Sequence, residues 1–289
     1  MSKKRPVLGV IGGSGLYDVA EIQGKETLEL DTPFGPPSAP IVGGTIADQK
    51  VYFLARHGQG HRFTPSEVPY RANVHAMKQL GVTHLLSISA VGSLKEEIEP
   101  GHLVVPDQII DRTRGNRPFT FFGDGIVVHV PMASPYCDTF ADEVRKAAVA
   151  SGAVVHDGGT LVVIEGPQFS TRAESFLYRS WDAHLVGMTA MPEARLAREA
   201  SLCYATLALA TDYDCWYEGH DSVTVEGVIA VMKKNIEKAR KTLVQLAQTL
   251  PQCTCTCQTT VKDAVITSPE AIPEATRARL ALLLDEQND

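Results

Sequence analysis

From about residue 6 to residue 250, short runs rich in Val, Ile and Leu alternate with stretches whose apolar residues recur every three or four positions. That rhythm limits the fold more than any other feature, because period-2 runs make strands and period-3.6 runs make helices. The segments "PVLGVIGG", "KVYFLARHG", "VTHLLSISAVGS", "GHLVVPDQIID", "GTLVVIEGP", "AHLVGMT" and "CYATLALATDYD" are expected as strands. Helices are expected at "YRANVHAMKQLG", at "CDTFADEVRKAAVASG", at "TRAESFLYRSW", from Pro192 onward, and from about Val223 to Leu250. Thr171 and Glu174 have capping-box spacing. In the long helix Val228, Met232, Ile236, Ala239, Leu243, Leu246 and Leu250 lie three or four apart and define one buried stripe. The result is an α/β chain with a mostly parallel or mixed sheet under flanking helices, in which ligands sit at strand carboxyl ends. Residues 1–251 are expected to form one catalytic domain. Residues 252–289 read as a Cys/Thr-rich linker followed by a short amphipathic helix, Pro269 to Leu284.

Charge and hydropathy exclude several function classes. A formal charge of -7 and the lack of a Lys/Arg block argue against nucleic-acid binding, which needs a basic face. The longest apolar run, Leu202 to Ala210, is too short to span a bilayer, and the basic N-terminus is interrupted by glycines too early for a secretory signal. A cytoplasmic protein acting on a small molecule is expected. Of the six cysteines, Cys137, Cys203 and Cys215 are dispersed in apolar contexts and read as buried thiols. Cys253, Cys255 and Cys257 have one-residue gaps, unlike the gaps of structural zinc knuckles. The expectation there is a strained disulfide or exposed thiols, and no metal.

Several strand ends carry groups suited to an anion. In "GVIGGSGLYD", Gly12, Gly13 and Gly15 let backbone amides converge and Ser14 adds a hydroxyl, although a tight structural turn has the same composition. It is neither a dinucleotide fingerprint nor a P-loop, since the third Gly and the Gly-Lys-Ser/Thr are missing. "LARHGQGH" puts Arg56 and His57 at a strand end, where Arg could grip a phosphate through two N–H bonds and His add a donor of adjustable charge. "SISAVGSL" offers Ser89 and the turn at Gly92. "VIEGPQFSTRAES" holds Glu165, Phe169, Ser170 and Thr171, with an aromatic ring able to lie on a planar ligand. "VGMTAMPE" presents Met188 and Thr189, the latter equally suited to capping a helix.

"TDYDCW" ends the last strand with Asp212 and Asp214 at alternate positions, hence on one face. Adenine pairs an amino donor at N6 with an acceptor at N7, so two acids, one of them protonated, match that edge. A 6-oxopurine would oppose its carbonyl oxygen to them. Oxyanion groups together with an adenine-matching acid pair point to phosphorolysis of an adenine nucleoside.

Six of these segments, in this order, resemble the 5′-methylthioadenosine phosphorylases of the trimeric purine nucleoside phosphorylase superfamily: "GVIGGSGL", "LARHGQGH", "SAVGSL", "EGPQFSTRAES", "GMTAMPEA" and "ATDYDCW". The resemblance implies a partly barrel-like sheet flanked by helices. It also implies phosphate binding by Ser14, Arg56, His57, Ser89, Ala90 and Thr189, with Met188 against the nucleoside and Phe169 along the purine. Asp212 and Asp214 would meet the N7/N6 edge, where relatives acting on 6-oxopurines carry Asn in place of Asp212. Ser170, Val225, Val228 and Ile229 would set specificity, the last three forming an apolar patch for a methylthio group. His129 would be lent to a neighbouring subunit's site in a homotrimer. Phosphate is then a co-substrate and no cofactor is expected. A broader purine nucleoside or methylthioinosine phosphorylase, a nucleotide-binding reductase and a silent binding protein are the competing readings.

Overall fold

The computed structural model describes residues 6–13, 21–218, 225–252 and 254–284, leaving aside the side chains of residues 225–228 and 230. In chain order the elements are β1 (Leu8–Gly12), β2 (Gln23–Leu28), β3 (Ile41–Ile46), β4 (Gln49–Ala55), α1 (Tyr70–Gln79), β5 (His84–Ser93), β6 (Leu103–Val105), β7 (Gln108–Arg112) and α2 (Asp138–Ala150). There follow β8 (Val155–Asp157), β9 (Thr160–Ile164), α3 (Arg172–Ser180), β10 (Leu185–Gly187), α4 (Ala190–Glu199), β11 (Cys203–Asp212), α5 (Val225–Thr249) and α6 (Glu274–Leu284). The predicted strand "GHLVVPDQIID" is two strands, β6 and β7. Pro106 between them has no N–H for a ladder, which divides the run.

The period-2 rule accounts for the layers. Along β11, Cys203, Ala205, Leu207 and Leu209 pack in one apolar cluster with α2 and α5. Tyr204, Ala208 and Ala210 pack in another with α1 and α4. Both faces of this central strand are therefore covered, as its unbroken apolar run requires. The stripe of α5 is buried at Ala239, Leu243 and Leu246. Asn235 lies on the same side and donates to the Ala210 carbonyl at 2.9 Å, just before the register shift that separates Ala210 from Asp212.

The described strands form a single mixed sheet ordered β2-β3-β4-β1-β5-β10-β9-β7, with β11 joining β5 to β6 and β8. Its decisive feature is a split along β5. On one edge β5 pairs with β11 along nearly its whole length. On the other edge it pairs with β1 as far as Ser87, and then with β10 only from Gly92. Residues 88–91 thus face an opening between β1 and β10, at the carboxyl end of the parallel strands.

The C-terminal segment is no bare linker. Leu280 and Leu283 of α6 are buried in the same cluster as α1 and α4. Val128 and Val265 form an antiparallel bridge, and His129 N donates to Ala264 O at 2.9 Å. Cys137 and Cys203 are buried thiols, as expected, whereas Cys255 and Cys257 are neither bridged nor exposed. Cys137, Cys203 and the pair Cys255 and Cys257, three places far apart in sequence, bring their Sγ atoms within 4.8 Å of one another. Sequence spacing could not reveal this, because α2, β11 and the tail each supply part of the group. Cys215 stands apart, half-buried, with its thiol 3.3 Å from the Ser170 carbonyl. Cys253 lies outside the described residues.

Candidate active site

A cavity of about 440 Å³ occupies the split in the sheet. Its walls combine Arg56, His57, Ser89, Ala90, Phe169, Ser170, Met188, Thr189, Asp212 and Asp214, with Gly13 at one edge and Met232 of α5 at another. Loops distant in sequence therefore meet in one chamber of a size ordinary for a small-molecule site.

Arg56 is oriented otherwise than its motif predicts. It is 2% exposed and its partner Glu193 1%. Its Nε and Nη2 donate to the two oxygens of Glu193 at 2.9 and 3.1 Å. Nη2 also reaches Ile11 O and Ser87 Oγ, while Nη1 donates to Ile88 O at 3.1 Å. The two-pronged grip predicted for an anion is spent inside the protein, because a buried guanidinium, always charged, needs a carboxylate to offset its lost hydration. One Nη1 hydrogen has no acceptor among the described residues.

His57 also departs from expectation. Burial, and secondarily the adjacent Arg56, lowers its pKa to about 4, so the ring is neutral near pH 7. Its Nδ1 lies 2.8 Å from the Phe63 carbonyl. A carbonyl only accepts, so Nδ1 carries the proton and Nε2 is an acceptor. His61 stacks on this ring with centroids 4.3 Å apart.

Thr189, a buried residue, makes no capping hydrogen bond at the start of α4, so its hydroxyl is available to the cavity that the residue lines. Regular helical geometry is interrupted at Met191 (φ -116°, ψ 132°) and resumes at Pro192, where the sequence indicated. Ser170 Oγ is buried close enough to the Asp214 carboxyl to oppose the rise in its pKa, and Phe169 stands half-exposed at the rim.

The two acids reach the cavity by different routes, not by simple alternation. Asp212 ends β11 after the register shift, whereas Asp214 lies in a turn with φ 52°. Asp214 N donates to Asp212 Oδ1 at 2.8 Å, and the Thr211 hydroxyl lies 2.7 Å from Asp212 Oδ2. That hydroxyl is also 3.2 Å from the Val91 carbonyl. A hydroxyl has one hydrogen, so a protonated Asp212 donating to Thr211 Oγ1, which then donates to Val91 O, satisfies all three groups. Burial raises the pKa of Asp212, in the direction this scheme needs. Burial also raises that of Asp214, with the neighbouring Asp212 adding to the shift. Gly92 permits this crowding. A Cβ there would stand 3.1 Å from Asp212 Oδ1, 3.1 Å from Val186 Cγ1 and 3.3 Å from Asp214 Cβ.

Two charged residues went unnoticed in the sequence. Glu193, inside a quoted motif, holds Arg56 and accepts from Tyr204 OH at 3.0 Å. Arg117, in a stretch without motif, donates to the Met188 and Met191 carbonyls at 2.7 and 2.6 Å and to Glu165 Oε1 at 3.1 Å. It thereby fixes the backbone on both sides of Thr189. Glu165, read from sequence as a loop residue near the ligand, instead serves Arg117 and Ser66. A lone Arg in a loop, or a single Glu in a helix, has no periodicity that marks it as a partner of a distant charge.

Some predicted residues lie elsewhere. Ile229 is half-exposed and does not line the cavity. His129 is exposed and likewise absent from its walls. Ser14 and the side chains of Val225 and Val228 lie outside the described residues.

The sequence pattern of the phosphorylase superfamily matches residues 7–248. The chain belongs to that superfamily. An S-methyl-5′-thioadenosine phosphorylase of Geobacter sulfurreducens is 50% identical over 279 residues, covering 96% of this chain and 98% of its own. One of Chloroflexus aurantiacus is 51% identical over 275 residues, covering 95% and 96%. Among solved structures, a methylthioadenosine phosphorylase from an Antarctic soil metagenomic library has a TM-score of 0.91 and 47% identity, covering 98% of this chain and 100% of its own. That of Schistosoma mansoni, solved in complex with adenine, has a TM-score of 0.82 and 36% identity, covering 99% and 100%. These are α/β folds with one large mixed sheet between helices, as the sequence indicated. No helix among the described residues is long and apolar enough to cross a membrane.

Proposed function

We propose that this chain catalyses phosphorolysis of 5′-methylthioadenosine, giving adenine and 5-methylthioribose 1-phosphate. The observation that carries the reading is the pairing of a buried acid dyad, Asp212 and Asp214, with hydroxyl and N–H donors in a single cavity. The names of the relatives agree with it.

In this mechanism a phosphate oxygen attacks the ribosyl C1′ as the C1′–N9 bond breaks, and the bonding pair passes to the purine. Asp212 turns its proton from Thr211 Oγ1 to the bound base and delivers it to N7, so the base leaves neutral, and the resulting carboxylate, which then accepts from the Thr211 hydroxyl, is reprotonated from solvent. General-acid help of this kind is worth roughly 10²- to 10⁴-fold. Asp214 accepts from the N6 amino group. Ser14, Ser89, Thr189, the Ala90 backbone and the remaining Nη1 hydrogen of Arg56 hold the phosphate, and neutral His57 accepts from an O–H of phosphate or ribose through Nε2. Positioning and electrostatics then do most of the work, and the proposed step uses no metal or organic cofactor. Phe169 and Met188 sandwich the nucleoside, and Ser170 offers its hydroxyl beside Asp214.

The reading includes a cytoplasmic homotrimer. It is supported by His129, which is exposed and does not line its own cavity, as a residue lent to another subunit would be. Sedimentation of the full chain should give about three copies, and a fully active monomer would end that part of the reading. The central test is phosphate-dependent release of adenine from methylthioadenosine. No release, or release independent of phosphate, would reject it. Equal turnover of hypoxanthine-type nucleosides would favour the broader purine phosphorylase. If Val225 lies against the methylthio group, Val225→His should shift the ratio of kcat/KM toward adenosine.

A further inference from the structure

We infer that Cys137, Cys203, Cys255 and Cys257 form a tetrathiolate site for a soft divalent cation, zinc by preference, that fastens the C-terminal segment to the sheet. The proposal is independent of the proposed reaction, since none of these residues lines the cavity. Cys137 immediately precedes α2 and makes no side-chain capping bond. Cys203 opens β11, Cys255 stands just before the helical turn Thr256–Thr259 of the tail, and Cys257 lies within that turn. Cys255 Sγ lies 3.5 Å from Cys137 Sγ and 3.4 Å from Cys203 Sγ, and no two of the four sulfurs are more than 4.8 Å apart.

Those distances fit a metal cage. Zinc–thiolate bonds of about 2.3 Å in a tetrahedron set sulfur–sulfur edges of about 3.8 Å, inside the observed spread. Closing on an ion therefore needs only small movements of sulfur. The surroundings suit thiolates as well. Arg198 Nη1 donates to Cys257 Sγ at 3.4 Å, an outer hydrogen bond that offsets part of the charge of four thiolates around one dication. The Arg198 guanidinium is held by the Ser134 and Tyr136 carbonyls. Cys137 also stands at the positive end of the α2 dipole. Soft thiolate donors in tetrahedral array select zinc over hard cations.

The test uses the full chain, purified under reductant and without chelator. Metal analysis should find about one zinc per chain in the wild type and in Cys215→Ser, and almost none in the double variant Cys255→Ser/Cys257→Ser. Because that variant could fail to fold, a second measurement uses wild-type protein stripped with a mercurial and then given cobalt(II) alone. Tetrahedral thiolate coordination should produce sulfur-to-cobalt charge-transfer bands in the near ultraviolet and d–d bands in the red. Reduced wild-type protein that retains no zinc and shows no such cobalt spectrum would overturn the proposal. So would an unreduced wild-type mass lower by the hydrogens of two disulfides.

Discussion

Glu199, at the end of α4, should make the stability of this protein depend on pH in a predictable way. It is 4% exposed, and its oxygens accept from Thr120 Oγ1 at 2.8 Å and Phe121 N at 2.7 Å. Burial raises its pKa from 4.5 to about 7, against the opposing pull of those two donors. The folded state thus binds a proton more tightly than the unfolded chain does. The contribution is fully present below pH 4.5 and is lost as pH rises through 7. A shift of this size corresponds to about 3 kcal/mol. Glu199→Gln mimics the protonated form, because its carbonyl can accept from Phe121 N and its amide can donate to Thr120 Oγ1. Wild type and variant should be equally stable near pH 4.5. The variant should gain progressively, by about 3 kcal/mol at pH 8. Urea unfolding from pH 4.5 to 8, at one fixed protein concentration, measures the difference directly. A difference that does not change with pH would refute the reasoning.

Three further outcomes are expected. Asp212→Asn should lose adenine-type activity and gain on 6-oxopurine nucleosides, in a preference worth up to roughly 10⁴; in the wild type kcat should fall as pH rises through the raised Asp212 pKa, and Asn should flatten that limb. Gly92→Ala should lower kcat by about tenfold to a hundredfold, since its Cβ displaces the acids by a fraction of an ångström, while urea unfolding moves by about 1–3 kcal/mol. Glu193→Ala should cost about 3–5 kcal/mol in the same unfolding assay, because it strands Arg56 as a buried unpaired charge.

The layers of the fold were legible because β11 and the faces of α2 and α5 obey periods of 2 and 3.6, which burial enforces. β2, β3 and β8 were missed. β2 is mostly exposed along its length and has no apolar alternation, and β3 contains two adjacent glycines, so neither shows the alternation that identified the others. In the site, residue types at strand ends revealed which loops converge, since every parallel strand delivers its loop to the same edge. Orientation was not legible. Whether Arg56 faces an anion or Glu193 depends on a residue far along the chain, and the proton on His57 depends on the Phe63 carbonyl. The thiol group was hidden for the same reason: Cys137 and Cys203 stand far along the chain from the close pair Cys255 and Cys257.

The pairing of residues 127–129 with the tail has a consequence in time. Val127 N donates to Thr267 Oγ1, His129 N to Ala264 O, and Ile266 N to Val127 O. The ribosome makes residues 127–129 early and their partners more than a hundred residues later, a delay on the order of ten seconds at ordinary elongation rates. Throughout that interval the nascent chain can build β1, β4 and β5 but must leave this edge open. The stretch bearing His129 acquires these backbone partners only once the chain has been made as far as Thr267, so its final shape is fixed by the order of translation itself.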